Sequence, residues 1–530
     1  MGCPVGRGRA EVRRPGDNVH SHCFVSVSHL KVRTPGTPAA NRDAVPCGRG
    51  EPAHRLGGMT YATVNPATGQ TVREFPTATD AEVREVVERS HRAFGSWRST
   101  PVPERAARMR ALAELYRERK RELAALLTEE MGKPARQAVG EVLLVASIYE
   151  FYAENAERFM AGEKLEPSTG GDAEVVLEPT GSILGIMPWN YPYYQVARLA
   201  APNLMLGNTV VLKHAPSVPQ AALVQEQLFR EAGFPEDVYR NVFATNEQIA
   251  EIVIPARTVQ GVSLTGSERA GSAVAELAGR HLKKVVLELG GSDPFVVLDA
   301  EDLENTVKHA VLGRLGNTGQ ACTAAKRFIV VEEAYDRFVD AFAQAMDAVE
   351  PGDPTDRKTL LGPLSSVAAR DGVAAQLQDA VEKGATVRAG GTPVDRPGAW
   401  MEATVLTDVT PQMRAYEEEI FGPVAVVHRV RDADEAVELA NSSPFGLGGS
   451  VFAADVDAAR EVASRIESGM VFVNEVTGTA PDLPFGGIKR SGVGRELGRF
   501  GIEEFANRKL IHAPRREEKL PLQDEEIVSP

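Results

Sequence analysis

The chain has 530 residues, 43% hydrophobic and 25% charged, with a formal net charge of −14. That length exceeds a single core and implies two or three folded units, and the acidic balance excludes non-specific binding to nucleic acid or to an anionic membrane surface. No apolar run approaches the roughly 18 residues of a membrane span, and four cysteines, three of them (Cys3, Cys23, Cys47) in the N-terminal segment, exclude a disulfide framework and point to a reducing, cytoplasmic setting.

Residues 1–58 carry nine Lys/Arg against four Asp/Glu and show no apolar periodicity, which predicts a disordered extension. Its prolines spoil the amphipathic pattern of a transit peptide, and Met59 is a candidate alternative start because globular patterning begins directly after it. A helix is expected from Thr79-Asp80, capped by Asp80, with an apolar stripe at Val83, Val86, Val87, Ala93 and Phe94. Helical patterns follow over 106–127 and 138–159, separated by the stop Gly132-Lys133-Pro134. The pattern then changes to short apolar strands near 182–187, 209–213, 241–244, 261–264 and 285–289, with helices at 221–232 and 270–277 between them. That alternation predicts a buried parallel sheet. Past Pro294 a second series opens, with strands near 295–298, 328–331, 424–430, 450–452 and 471–474 and helices at about 302–312, 333–349, 366–382 and 455–466. The predicted division is 59–289, 290–485 and a C-terminal return over 486–530.

Cys322 lies in Gly316-Asn317-Thr318-Gly319-Gln320-Ala321-Cys322, a small-residue loop in which Gly316 and Gly319 permit tight turns. A free cysteine is usually a small hydrophobe. Thirty-four residues upstream, Glu288 ends an apolar run and precedes paired glycines, so a thiol and a carboxylate from two units face a common cleft, where ligands usually bind. Such a pair suggests nucleophilic attack followed by hydrolysis. The ten histidines form no ligand-spaced cluster, and no metal is expected. Gly266-Ser267-Glu268-Arg269-Ala270-Gly271 stands between a strand and a helix, where backbone amides can face a pyrophosphate, although a plain turn fits that stretch equally well.

The loop ending at Cys322 resembles the nucleophile loop of the aldehyde dehydrogenase superfamily, and Glu288-Leu289-Gly290-Gly291 resembles its general-base segment at the matching spacing. The resemblance runs from about Asn65 to the region of His512 and includes Pro484-Phe485-Gly486-Gly487-Ile488-Lys489-Arg490-Ser491-Gly492. It implies an α/β fold with a Rossmann-type dinucleotide domain over 59–289, interrupted near 162–180 by an oligomerisation segment. A catalytic domain over 290–485 and an oligomerisation strand and tail within 486–530 complete the expectation. Cys322 is then the nucleophile, Glu288 the base acting through water, and Asn190 of Met187-Pro188-Trp189-Asn190 the oxyanion donor. The implied cofactor residues are Trp189, Lys213, Thr265, Gly266, Ser267, Gly271, Glu419 and Phe421. NADP is favoured over NAD, because Pro216 stands three positions after Lys213, where NAD-preferring members commonly carry a carboxylate.

Val211-Leu212-Lys213-His214-Ala215-Pro216 and Ala324-Ala325-Lys326-Arg327-Phe328 resemble the bacterial succinate-semialdehyde dehydrogenase branch. That resemblance implies a substrate carboxylate held by Arg198, with Thr479 where the branch usually has serine. It also implies a homodimer or homotetramer joined through strands around Val175-Val176-Leu177 and Lys509-Leu510-Ile511-His512. Oxidation of another aldehyde, a CoA-acylating enzyme and a non-catalytic relative are the alternatives.

Overall fold

The computed structural model describes residues 60–514; the expected extension over 1–58 lies outside them. The first element is an antiparallel hairpin, Tyr61–Asn65 with Gln70–Phe75. The helix Asp80–Trp97 follows, and its cap is Thr79 rather than Asp80: the Thr79 hydroxyl accepts from the Glu82 N–H while the Glu82 carboxylate returns to the Thr79 N–H. A capping box needs the pair three apart, and only Thr79 has Glu at that spacing. Helices Val102–Glu118, Lys120–Met131 and Ala135–Phe159 form a layer whose core includes Leu112, Tyr116, Leu127, Val145 and Tyr149. Gly132, at φ 76°, ends the second of them in the left-handed conformation that glycine adopts without strain.

Two sheets carry the rest. The six-stranded sheet runs in the order Gly492–Val493, Lys284–Glu288, Val259–Thr265, Ser182–Met187, Thr209–His214, Tyr239–Asn241. Its strands are parallel except the first, which comes from the C-terminal segment and pairs antiparallel with Gly492 opposite Glu288. Near-continuous burial along Ser182–Met187 and Thr209–His214 fits a sheet covered on both faces. The seven-stranded sheet runs Thr386–Ala389, Thr404–Thr407, Val424–Val430, Ala325–Val331, Asp293–Val297, Ser450–Phe452, Phe472–Val473. Its core is built on Phe295, Phe328, Phe338, Phe342 and Phe452. Asp172–Pro179 lies between Ala506–Ala513 and Glu163–Leu165 in a separate three-stranded antiparallel sheet. Among the described residues no helix is long and apolar enough to cross a membrane.

Candidate functional site

Parallel strands present their carboxyl ends on one edge, and at such an edge α/β folds bind ligands. Here Thr209–His214 carries Lys213 near its end, Val259–Thr265 ends in Thr265, Lys284–Glu288 ends in Glu288, and Ser182–Met187 leads directly to Trp189 and Asn190. The second sheet contributes Cys322, in the loop entering Ala325–Val331.

That loop is held by force as well as by contact. Asn317, Thr318 and Gly319 all have positive φ (53°, 58° and 73°), and the first two are not glycine. Left-handed geometry costs a β-branched residue such as threonine on the order of 1–3 kcal/mol, so its surroundings must hold it. They do: the Asn317 N–H donates to Gln137 Oε1 at 2.7 Å, Asn317 Nδ2 donates to the Asn190 and Gln320 carbonyls, and the buried Arg314 donates to the Gly319 carbonyl at 2.7 Å. Gly316, expected to be a turn glycine, has φ −53°, which any residue adopts; of the two glycines only Gly319 needs its freedom.

Asn190 is 4% exposed and its Nδ2 donates to the Gln320 carbonyl at 3.0 Å, two residues before the thiol. An amide nitrogen carries two hydrogens, so one donor remains for an oxygen beside Cys322. Burial pushes the Cys322 thiol up to about 12; Arg198 and Lys326 pull it down, while Glu419 and Asp293 oppose them. Glu288 is 2% exposed, and among the described residues neither carboxylate oxygen has a hydrogen-bond partner. Burial and the neighbouring Glu496 hold its pKa well above the ordinary carboxyl range, against the pull of Arg198 and Arg495. A carboxyl so raised is a stronger base once it gives up its proton.

Arg198, on the helix Tyr194–Leu206, is 1% exposed. Its Nε is ion-paired with Glu496 at 2.8 Å, and Nη1 and Nη2 reach the hydroxyls of Tyr194 (3.4 Å) and Thr265 (3.3 Å). The guanidinium lies over the rings of Tyr194 and Phe485, 4.7 and 4.3 Å from their centroids. The Thr479 and Tyr194 hydroxyls are 2.7 Å apart, so Thr479, Tyr194, Arg198 and Thr265 form one connected group.

The remaining expected residues lie along the strand edge. Lys213 is 5% exposed with no ion-pair partner among the described residues; burial lowers its pKa to about 8, against the pull of Glu247. Ser267 caps the helix Glu268–Arg280, its hydroxyl accepting from the Ala270 N–H. Space beside Gly266 is open, with only Leu264 at ordinary contact distance from an added Cβ. Gly271 differs: its N–H is bonded to the Ser267 carbonyl and its bare Cα lets Leu289 pack close, so its place is helix packing rather than a free amide. Glu419 Oε1 accepts from the Gly291 N–H at 3.1 Å, and the Trp189 and Phe421 rings meet edge-on at 5.9 Å. An unpaired cation, a capped helix start with clearance at Gly266 and a carboxylate beside two glycines fit the donor set that a phosphorylated dinucleotide needs.

The sequence pattern of the aldehyde dehydrogenase family matches residues 55–511. The chain belongs to that family. A protein of Deinococcus radiodurans named succinate-semialdehyde dehydrogenase, NADP(+), is 59% identical over 453 residues, covering 86% of this chain and 94% of its own. A protein of the same name from Mycobacterium avium (strain 104) is 45% identical over 456 residues, with coverages of 86% and 96%. The crystal structure of succinic semialdehyde dehydrogenase from Streptococcus pyogenes in complex with NADP+ matches with a TM-score of 0.84 at 41% identity, covering 86% of this chain and all of that one.

In this aldehyde dehydrogenase four charged residues stand beside the expected set without a role assigned from sequence. Glu496 reaches Arg198 from the C-terminal segment, a contact that no local spacing encodes. Lys133 and Glu141, both with buried side chains, form an ion pair; Lys133 also donates to the Asn190 carbonyl, and Glu141 accepts from the Tyr193 and Tyr194 N–H groups. Their signal was Gly132-Lys133-Pro134, read only as a helix stop. Lys326, within Ala324-Ala325-Lys326-Arg327-Phe328, touches both Glu419 and the Cys322 carbonyl.

Proposed function

We propose that this chain oxidises succinate semialdehyde to succinate with NADP+ through a covalent intermediate on Cys322. The observation that carries the reading is the fully buried Arg198 in an aromatic pocket beside the thiol, on a chain 59% identical to a protein named for that activity. Cys322 as thiolate adds to the aldehyde carbon, forming a carbon–sulfur bond and a negatively charged oxygen. Asn190 Nδ2 donates to that oxygen; a preorganised donor of this kind is worth roughly 3 kcal/mol. A bound nicotinamide supplies the hydride acceptor. Loss of hydride leaves a thioester; Glu288 takes one proton from the water that cleaves it, the thiolate leaves, and the carboxylic acid so formed gives its own proton to solvent as carboxylate is released. Lys213, the start of Glu268–Arg280, Glu419 and Phe421 are the residues that would hold the dinucleotide; with proline at 216, a 2′-phosphate meets no like charge there.

A second reading has its own support. Arg198 already pairs with Glu496, so an aldehyde without a distal charge would leave that pair untouched. Domains over 59–289 and 290–485, a cytoplasmic setting and a homodimer or homotetramer belong to the same proposal. For assembly the support is the exposed outer strand Ala506–Ala513, where Leu510 and Ile511 are 60% and 50% exposed.

Reduced-cofactor formation across a panel of aldehydes, with NADP+ or NAD+ and with or without CoA, tests the reading. Succinate semialdehyde with NADP+ and no CoA is expected to be best. Arg198→Ala is expected to cut its kcat/KM by about tenfold to a hundredfold more than that of butyraldehyde, the range of a lost hydrogen bond to a charged group. Equal losses would defeat the carboxylate assignment, and a CoA requirement would defeat hydrolysis.

A further inference from the structure

The motif Ala324-Ala325-Lys326-Arg327-Phe328 places two cations in succession at the start of Ala325–Val331, and they go to different places. Arg327 spends its donors on the Ser292, Leu439 and Ala440 carbonyls, structural contacts away from the thiol. Lys326 turns back. The ladder with Asp293–Val297 pairs Asp293 with Ala325 and Pro294 with Arg327, so Lys326 is the extra residue of a β-bulge. Bulges re-aim side chains, and this one sends the ammonium into its own upstream loop.

There Lys326 is 3% exposed and meets four acceptors: the carbonyls of Ala321 (3.1 Å), Cys322 (2.9 Å) and Ala324 (3.3 Å), and Glu419 Oε1 (3.2 Å). An ammonium has three hydrogens, so every donor is engaged. Glu419 Oε1 also takes the Gly291 N–H, while Oε2 has no protein partner among the described residues. One end of Lys326's contacts is thus the nucleophile's own backbone. The other is the Glu419 carboxylate, one of the residues that would hold the dinucleotide.

We propose that Lys326 is a positioning residue that ties the cofactor-facing carboxylate of Glu419 to the backbone of Cys322, so that the thiol and the cofactor are aligned by one buried ammonium. The inference rests on the dehydrogenase reading above. It has two physical consequences. Fixing Oε1 leaves Oε2 as the acceptor for a ribose hydroxyl, with its direction set before binding. The same ammonium, with Arg198, favours the thiolate of Cys322, whereas the acidic groups facing it, Glu419 and Asp293, disfavour it; Tyr191 is a further titratable neighbour that interacts with Cys322.

The test uses the full-length protein without cofactor first. Alkylation of Cys322 by iodoacetamide, followed by peptide mass mapping to separate it from Cys3, Cys23 and Cys47, gives the thiol's titration. NADP+ affinity is read separately from quenching of intrinsic fluorescence. Lys326→Met is expected to move the alkylation profile up by about one pH unit or more, the size of a lost neighbouring charge, and to weaken NADP+ binding by about tenfold. Glu419→Gln is expected to move the profile down and also weaken NADP+, and Lys326→Met added to it should weaken NADP+ little further. If Lys326→Met does not fold by circular dichroism, Lys326→Gln keeps N–H donors for the carbonyls without the charge. An unchanged alkylation profile in Glu419→Gln, or additive losses of NADP+ affinity in the double variant, overturns the coupling. Variants that show these shifts while the wild-type protein reduces no NADP+ with any aldehyde of the panel overturn the dehydrogenase reading instead.

Discussion

Two cation–carboxylate pairs flank Cys322, and they differ in what they leave unpaired. On one side Arg198 is tied to Glu496, yet Glu288 beside them has two buried oxygens without a donor among the described residues. On the other, Lys326 and Glu419 spend every ammonium hydrogen on defined acceptors. A buried carboxyl without a donor costs about 1–3 kcal/mol or more, and a structure keeps such a group where chemistry uses it. A saturated ammonium contributes rigidity instead. The first side is built to change protonation state, the second to stay fixed.

The largest effect falls on the thiol between them. Cys322→Ala is expected to lower NADP+-dependent aldehyde oxidation by about ten-thousand-fold or more, as loss of a nucleophile does elsewhere, with NADP+ affinity within a few-fold of wild type. Only the thiolate attacks, and burial raises the thiol to about 12, so the thiolate is the minor form at neutral pH. Alkylation of the wild-type free enzyme should therefore climb about tenfold per unit between about pH 7 and 9. A plateau in that range would mean that the two cations outweigh burial, and the comparison would have to be redrawn with the thiol already charged.

Glu288→Gln separates the two sides next. Removing the base should leave thioester formation intact and slow its hydrolysis by about 10²–10⁴. Rapid mixing with succinate semialdehyde should then show a burst of NADPH, one per subunit at most, followed by a slow steady rate. A slow first turnover with no burst would place Glu288 in the attack step, and the division between the two sides would fail.

The fold and the candidate site were legible to different depths. Alternating apolar runs located Ser182–Met187, Thr209–His214 and Val259–Thr265 closely because those strands are buried on both faces and read as continuous hydrophobic segments. Thr386–Ala389 and Thr404–Thr407 were missed, being four residues each, the former mostly exposed at a sheet edge. Cys322, Asn190 and Glu288 are candidates because of short motifs legible in the sequence. Their second rank was not legible there: Glu496 arrives only because Gly492–Val493 pairs with Lys284–Glu288, and Lys326 turns inward only because a bulge breaks a ladder. Register between distant segments decides both, and one-dimensional spacing carries no record of it. The positive φ of Asn317 and Thr318 was hidden for the same reason, since the contacts that hold it come from Gln137 and Asn190.

Thr479 offers the smallest and most selective change on the reactive side. Its hydroxyl meets Tyr194, whose own hydroxyl touches Arg198, so the group acts on the substrate pocket through two neighbours. Thr479→Ser keeps that hydrogen bond and deletes one methyl. A methyl's worth of space in a pocket changes discrimination by about tenfold or less when the polar contacts persist, and the effect should appear in KM rather than in kcat. Aldehydes one carbon longer than succinate semialdehyde are expected to gain a few-fold in kcat/KM, with the parent substrate nearly unchanged. Thr479→Val should do the opposite: it keeps the bulk, strands the Tyr194 hydroxyl and loosens Arg198, so the charged substrate alone should suffer. If both variants alter charged and uncharged aldehydes alike, Thr479 shapes the pocket wall only, and the chain of contacts to Arg198 carries no selectivity.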